Sequence, residues 1–124
     1  MRVLADAKAA GKIRAHGISC HSMVATDLAS RSDWVDVNLI RINPFGLHMD
    51  ADPETVIEAI NRAKSNNHGV IGMKILGEGE AVDRMDEAIN HAVRLDGLDG
   101  FTIGFTNRAQ MEEVTSKIAA VTHT

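Results

Sequence analysis

Apolar positions along the chain change period repeatedly, from the three- and four-residue spacing of helices to the dense runs typical of strands. Residues 35–42 (VDVNLIRI) carry five apolar side chains, which predicts a strand buried largely on both faces. Asp52, Pro53 and Glu54 then supply an N-cap, a first-position proline and a first-turn acid. These three residues predict that a helix follows over residues 52–64.

The same reading over the whole chain gives one helix followed by four strand–helix units. We expect strands at 13–20, 35–42, from 69 onward and at 98–105, and helices at 3–10, 22–31, 52–64, 83–95 and 107–121. Such alternation predicts an α/β fold with parallel strands joined by right-handed crossovers. The pattern alone leaves two architectures open, an independent doubly wound sheet and half of a (β/α)8 barrel.

Composition indicates the partners and the location of the protein more than it indicates the fold. The 124 residues suit one domain, and a net charge of −4 argues against a nucleic-acid partner. No apolar run approaches the ~20 residues that cross a bilayer, so no membrane partner is expected. The single cysteine, Cys20, indicates a reduced, cytoplasmic location. The chain contains no tyrosine, which excludes a phenol as its general acid.

The segment GVIGMKILGEGE (residues 69–80) reads as a strand that ends in a glycine-rich loop. Gly77 and Gly79 are expected to shape that loop and not to hold phosphate, which Glu78 and Glu80 would repel. Lys74 has two readings of equal weight. It contacts a ligand at the strand end, or its amine reaches past the apolar surface to water.

Metal and thiol chemistry find little support in the spacing of the candidate residues. His16 and His21, on or beside one strand, are five residues apart and are expected to face opposite sides. Cys20 and His21 also point apart as neighbours on a strand, against a Cys–His nucleophile. The other histidines have no ligand spacing; these are His48, His68, His91 and His123.

Four segments in series resemble aldo-keto reductases. AAGKIRAHGISCHS (residues 9–22) is similar to the family's GKIRxxGxS segment before the fifth barrel strand. VDVNLIRINPFG, NNHGVIGMKILGEG and DGFTIGFTNRAQMEEVTSKI resemble the sixth, seventh and eighth strands with their loops. The likeness covers nearly the whole chain in the family's order. It implies that residues 1–124 form one domain, the C-terminal half of a TIM-type (β/α)8 barrel.

The resemblance implies an NADP(H)-binding half of a carbonyl oxidoreductase that is inactive alone. The family's catalytic Asp, Tyr, Lys and His belong to its N-terminal half, so no catalytic residue is predicted here. The chain would be a fragment, a truncated homologue or a subunit that needs the other half. The alternative is a non-catalytic module, in which two copies pair through their sheet edges as a homodimer.

Carried over by position, the resemblance assigns the nicotinamide side of the cofactor site to strand ends. Ser19 matches the serine near the carboxamide, and Cys20 stands where many members have asparagine. Leu39 falls near the family's glutamine, with Asn38 adjacent to it. Met73 stands where an aromatic ring often stacks on the nicotinamide, and Lys74 follows it.

The adenosine-phosphate side falls on the last loop and helix start, where N–H groups suit an anion. The residues assigned there are Gly104, Phe105, Thr106, Asn107, Arg108 and Gln110. Arg108 could pair with a 2′-phosphate, which favours NADP over NAD. Gln110 and Val114 occupy positions that are often Arg and Asn. Together with Cys20, Leu39 and Met73, these departures weaken the cofactor contacts.

Overall fold

The computed structural model describes residues 1–122. His123, which the sequence predicts to have no metal-ligand spacing, lies outside the described residues. Four strands alternate with helices, as the sequence predicts. The elements are α1 (Arg2–Ala9), β1 (Gly17–Ser19), α2 (Met23–Ser30), β2 (Val37–Arg41), α3 (Pro53–Ser65), β3 (Gly69–Met73), α4 (Met85–Arg94), β4 (Gly100–Phe101) and α5 (Arg108–Thr122), with 3-10 turns at Gly77–Gly79 and Val82–Arg84.

The four strands form one parallel sheet in the order β1-β2-β3-β4. Each strand lies beside the one that precedes it in sequence, as strands do around a (β/α)8 barrel. A doubly wound sheet instead reverses its strand order at a switch point. The predicted α/β fold with a parallel sheet is therefore confirmed, and its strand order is that of half a barrel.

The core lies on the helix side of the sheet, between β2, β3 and the inner faces of α3 and α4. Its fully buried apolar members include Ile40 and Ile42 from the β2 segment, Val70 of β3, and Val56 and Ile60 of α3. Asp52 begins α3 as predicted, because its side chain accepts the Thr55 N–H at 2.9 Å.

The opposite side of the sheet, here called the open face, carries the alternate residues of the strands. Leu39 and Ile71 lie side by side there, with Arg41 and Met73 nearer the carboxyl ends. These four side chains are half-buried, whereas the positions between them on β2 and β3 are buried. No helix of the described residues is long and apolar enough to cross a membrane.

Strands β1 and β4 are shorter than predicted, at three and two residues. Both are edge strands, so within residues 1–122 each forms a ladder with only one neighbour. Next to β1, the carboxylate of Asp36 supplies further hydrogen bonds. It accepts the main-chain N–H of His16 at 2.9 Å and the side-chain ammonium of Lys8 at 2.6 Å. The Lys8 ammonium, and then the His16 N–H, hold the pKa of Asp36 below its usual value.

Candidate functional site

A cavity of about 700 Å³ opens at the carboxyl ends of β3 and β4. One wall is the connection after β3, and the other is the segment from β4 into the start of α5. Ligand sites of parallel α/β sheets lie at this edge. Six of the eleven predicted cofactor residues line it: Met73, Lys74, Gly104, Phe105, Thr106 and Gln110.

The wall after β3 turns sharply away from the strand direction. Lys74, Gly77 and Glu78 all have positive φ, between 53° and 62°, which allows the backbone to turn back on itself within five residues. A Cβ on Gly77 would lie 2.8 Å from Leu47 Cβ, so this position requires glycine. The predicted loop-shaping role of Gly77 thus has a steric basis.

Lys74 lines the cavity, and its ammonium pairs with the Glu78 carboxylate. Hydrogen bonding from Lys74 and its charge hold the pKa of Glu78 below its usual value. Glu78 is therefore ionised at neutral pH. The lysine contributes little free positive charge to the cleft, because its ammonium is paired with the carboxylate of Glu78 on the same loop.

Asn43 anchors this wall from the loop after β2, and sequence reasoning missed it. Its side chain is fully buried, and its Nδ2 donates to Leu47 O at 2.7 Å and Lys74 O at 3.0 Å. Its Oδ1 accepts from the N–H groups of Phe45 and Leu47, both at 3.1 Å. An asparagine before proline is a usual start for such a turn, and this was the available signal.

The opposite wall leaves open space above the main chain. A Cβ on Gly104 would meet no atom within 4 Å. Gln110 Oε1 accepts the Thr106 N–H at 2.9 Å, and Asn107 Oδ1 accepts the Gln110 N–H at 3.0 Å. Asn107 therefore caps α5 as predicted, and some of the N–H groups at this helix start already have partners inside the chain.

Arg108 does not line the cleft. Its Nε donates to Glu112 Oε1 at 2.6 Å, one turn along α5, and its side chain is 85% exposed. The single arginine that the sequence assigns to cofactor phosphate is thus engaged on the outer surface of α5.

Asn107, which caps α5, does not line the cavity either, and the other three assigned residues lie on or directly after strands β1 and β2, outside the cavity. Ser19 is on the open face, with Oγ 3.8 Å from Met73 Sδ. Cys20 and Asn38 are buried on the helix side; Cys20 packs with Ala29 and Val35, and Asn38 Nδ2 lies 3.0 Å from His68 Nδ1. Burial also raises the pKa of the Cys20 thiol.

A second polar group lies at the carboxyl end of β2, beside the open face. Arg41 hydrogen-bonds His21 Nδ1 and lies 3.5 Å from Asp50 Oδ1. His48 Nε2 lies 2.7 Å from Glu80 Oε1, and this contact links the loop after β2 to the loop after β3.

Across residues 1–122, no three His, Cys, Asp or Glu side chains form a group that could hold a metal ion.

Comparison of the chain with models of protein families, with curated proteins and with solved structures gave no match.

Proposed function

We propose that the cleft between the β3 and β4 loops binds a nicotinamide adenine dinucleotide, as the NAD(P)H-holding half of an aldo-keto-reductase-like barrel would. One observation carries the proposal. Six residues assigned by resemblance come from two segments about 30 residues apart, 73–74 and 104–110, and line one cavity. The NADP(H) form expected from the sequence remains a prediction.

The cleft suits such a ligand in size and in the exposure of its main chain. Its volume of about 700 Å³ falls within the ~300–1,000 Å³ of small-molecule sites. Gly79 and Gly104 face open space, so a ligand can approach their backbone closely. The hydroxyls of Thr102 and Thr106 add polar atoms to a lining that is otherwise mainly apolar.

In this proposal the chain binds the dinucleotide and does not reduce a carbonyl by itself. A bound nicotinamide supplies hydride chemistry, and this chain's contribution is to hold and orient the ring and the adenosine. Met73, at the end of β3 on the open face, is the side chain assigned to pack on the nicotinamide. No tyrosine is present to serve as proton donor.

Filling the cleft from Gly104 tests the proposal. We expect purified protein to enhance the fluorescence of reduced dinucleotide, and Gly104→Val to abolish that enhancement while leaving the fold intact. Gly100→Val is the matched control, because a Cβ there also meets open space but Gly100 does not line the cleft. Absence of binding by the unmodified chain at millimolar NADH and NADPH would remove the proposal.

A second candidate, self-association into a closed barrel, rests on a different observation. The open face presents half-buried Leu39 and Ile71, and each edge strand has only one neighbour within residues 1–122. Two copies joined edge to edge would bury both features and complete eight parallel strands.

Sedimentation across a concentration series tests the pairing. We expect a dimer that Leu39→Lys dissociates, because a charge would then face the barrel interior. Val24→Lys is the control, since Val24 is 74% exposed on helix α2 and is not part of the sheet. A chain that stays monomeric at the highest concentrations contradicts this candidate.

A further inference from the structure

We propose that the cleft takes an uncharged, ring-bearing small molecule through its apolar lining and disfavours a ligand that carries a negative charge there. The inference goes beyond the proposed function, because it rests on the side chains of the lining and not on the resemblance. It also limits that function, since a dinucleotide bound here would place a ring inside the cleft and its phosphates outside.

The cleft is apolar from its interior to its rim. Ile75, Met85 and Val114 line it and are buried. Val82 and Phe105 also line it, and they are 53% and 40% exposed. Large apolar side chains left exposed around a concave surface are typical of a ligand site. The surface that a ligand would remove from water is therefore largely apolar, and its burial favours an apolar ligand.

The charged side chains at the cleft already have partners within the chain. Lys74 pairs with Glu78, and both line the cleft. Lys117, one turn beyond Glu113 on α5, pairs with Asp86 at 2.5 Å and also interacts with Glu113. The hydrogen bond to Asp86, and then the charges of Asp86 and Glu113, raise the pKa of Lys117.

These pairs set two lysines against three carboxylates. A carboxylate or phosphate on a ligand would therefore find no unpaired cation in the described lining and would be repelled by the excess negative charge. An uncharged ligand avoids this repulsion.

The neutral polar groups of the lining also suit an uncharged ligand. Gln110 Oε1 accepts the N–H and the hydroxyl of Thr106, at 2.9 and 3.0 Å, which fixes the amide at the start of α5. The NH2 group of that amide and the Thr102 hydroxyl are neutral donors for a carbonyl or a ring nitrogen. The thioethers of Met73 and Met85 are suited to pack against an aromatic ring. The lining therefore matches a planar ring with a neutral acceptor.

Titration with 2-naphthamide and with 2-naphthoate tests the proposal, because the two compounds share one ring system and nearly one shape but differ by a negative charge. The methyl NMR signals of Met73 and Met85 report binding in the cleft. We expect saturable shifts of both signals with 2-naphthamide. Binding of 2-naphthoate should be weaker by on the order of tenfold.

A charge placed in the rim locates the binding site. Val82→Asp should abolish the shifts caused by 2-naphthamide, because a carboxylate then stands in the apolar lining. Val82 is 53% exposed in a 3-10 turn, so the fold should tolerate the change, and circular dichroism checks this. Val24→Asp makes the same change on α2, outside the lining, and should bind 2-naphthamide as the unmodified chain does. A folded Val82→Asp protein with unchanged binding would overturn the proposal.

The outcomes on the unmodified chain separate this proposal from the proposed function. Equal or tighter binding of 2-naphthoate, or unchanged Met73 and Met85 signals at the solubility limit of 2-naphthamide, overturns the present proposal. Binding of a dinucleotide in that case leaves the proposed function standing. Binding of 2-naphthamide without binding of NADH or NADPH supports the present proposal and removes the proposed function.

Discussion

Replacing Asn43 with alanine removes an anchor of the cleft wall, and because Asn43 does not itself line the cavity, no lining side chain is changed. The four hydrogen bonds of the Asn43 side chain, at 2.7–3.1 Å, all go to main-chain groups. A hydrogen bond contributes a net ~1 kcal/mol, and a buried partner left unsatisfied costs more. Water can reach part of this loop, so we expect a loss of about 2–4 kcal/mol in the free energy of unfolding, with a fall in Tm of roughly 8–15 °C.

Urea unfolding followed by far-UV circular dichroism and by fluorescence of the single tryptophan, Trp34, measures the loss. The midpoint should fall while the denaturant slope stays constant. Asn61→Ala is the matched control, because Asn61 is exposed on α3 and should change stability by less than ~0.5 kcal/mol. An Asn43→Ala protein as stable as this control would refute the reasoning.

Three further predictions concern the strands and the cleft charges. Gly17→Ala should destabilise the chain strongly, because its Cβ would lie 2.0 Å from a carbonyl oxygen of β2; Gly100→Ala, which meets open space, should be nearly neutral in the same urea assay. Because the pKa of Asp36 is lowered on folding, its stabilisation is complete above the usual aspartate pKa and is lost as pH falls through the lowered value. Asp36→Asn should therefore flatten the acid limb of a stability–pH curve, and an unchanged limb contradicts the assignment. Lys74→Met should raise the pKa of Glu78 toward its usual range in an NMR titration, and a constant pKa would exclude the ion pair.

Helix starts were the most predictable features, because their signals are local in sequence. Asp52 and Asn107 cap α3 and α5 at the predicted positions. In each case the side chain accepts a hydrogen bond from the main-chain N–H three residues later. The Arg108–Glu112 pair is equally local, a four-residue spacing on one helix face. The i, i+4 spacing of Arg108 and Glu112 in the sequence therefore already predicts this pair.

The strand order and the anchors of the loops were not predictable from patterns alone. Alternation of strands and helices is common to barrels and doubly wound sheets, and only the observed order separates them. Asn43 reaches Lys74 O across 31 residues, and Asp99 accepts the Val70 N–H across 29. Such contacts depend on which strands become neighbours, so no local period encodes them.

The predicted cofactor residues likewise differ in whether local sequence could place them. Six of the residues assigned at the end of β3 and after β4 meet in the cleft, and Asn107 and Arg108 do not. Cys20 and Asn38 were assigned without knowledge of which face of the sheet each would take. A shift of one residue along a strand moves a side chain to the other face. Leu39, beside Asn38, is the residue that faces the open side.

Methyl NMR of the six methionines tests the central claim, dinucleotide binding in the cleft, most directly. Met73 and Met85 line the cavity, and the other four methionines do not. On titration with NADH, the account predicts saturable shifts of the Met73 and Met85 methyl signals while those of Met1, Met23, Met49 and Met111 stay nearly fixed. Unchanged Met73 and Met85 signals at millimolar NADH, or shifts confined to the other methionines, would contradict it.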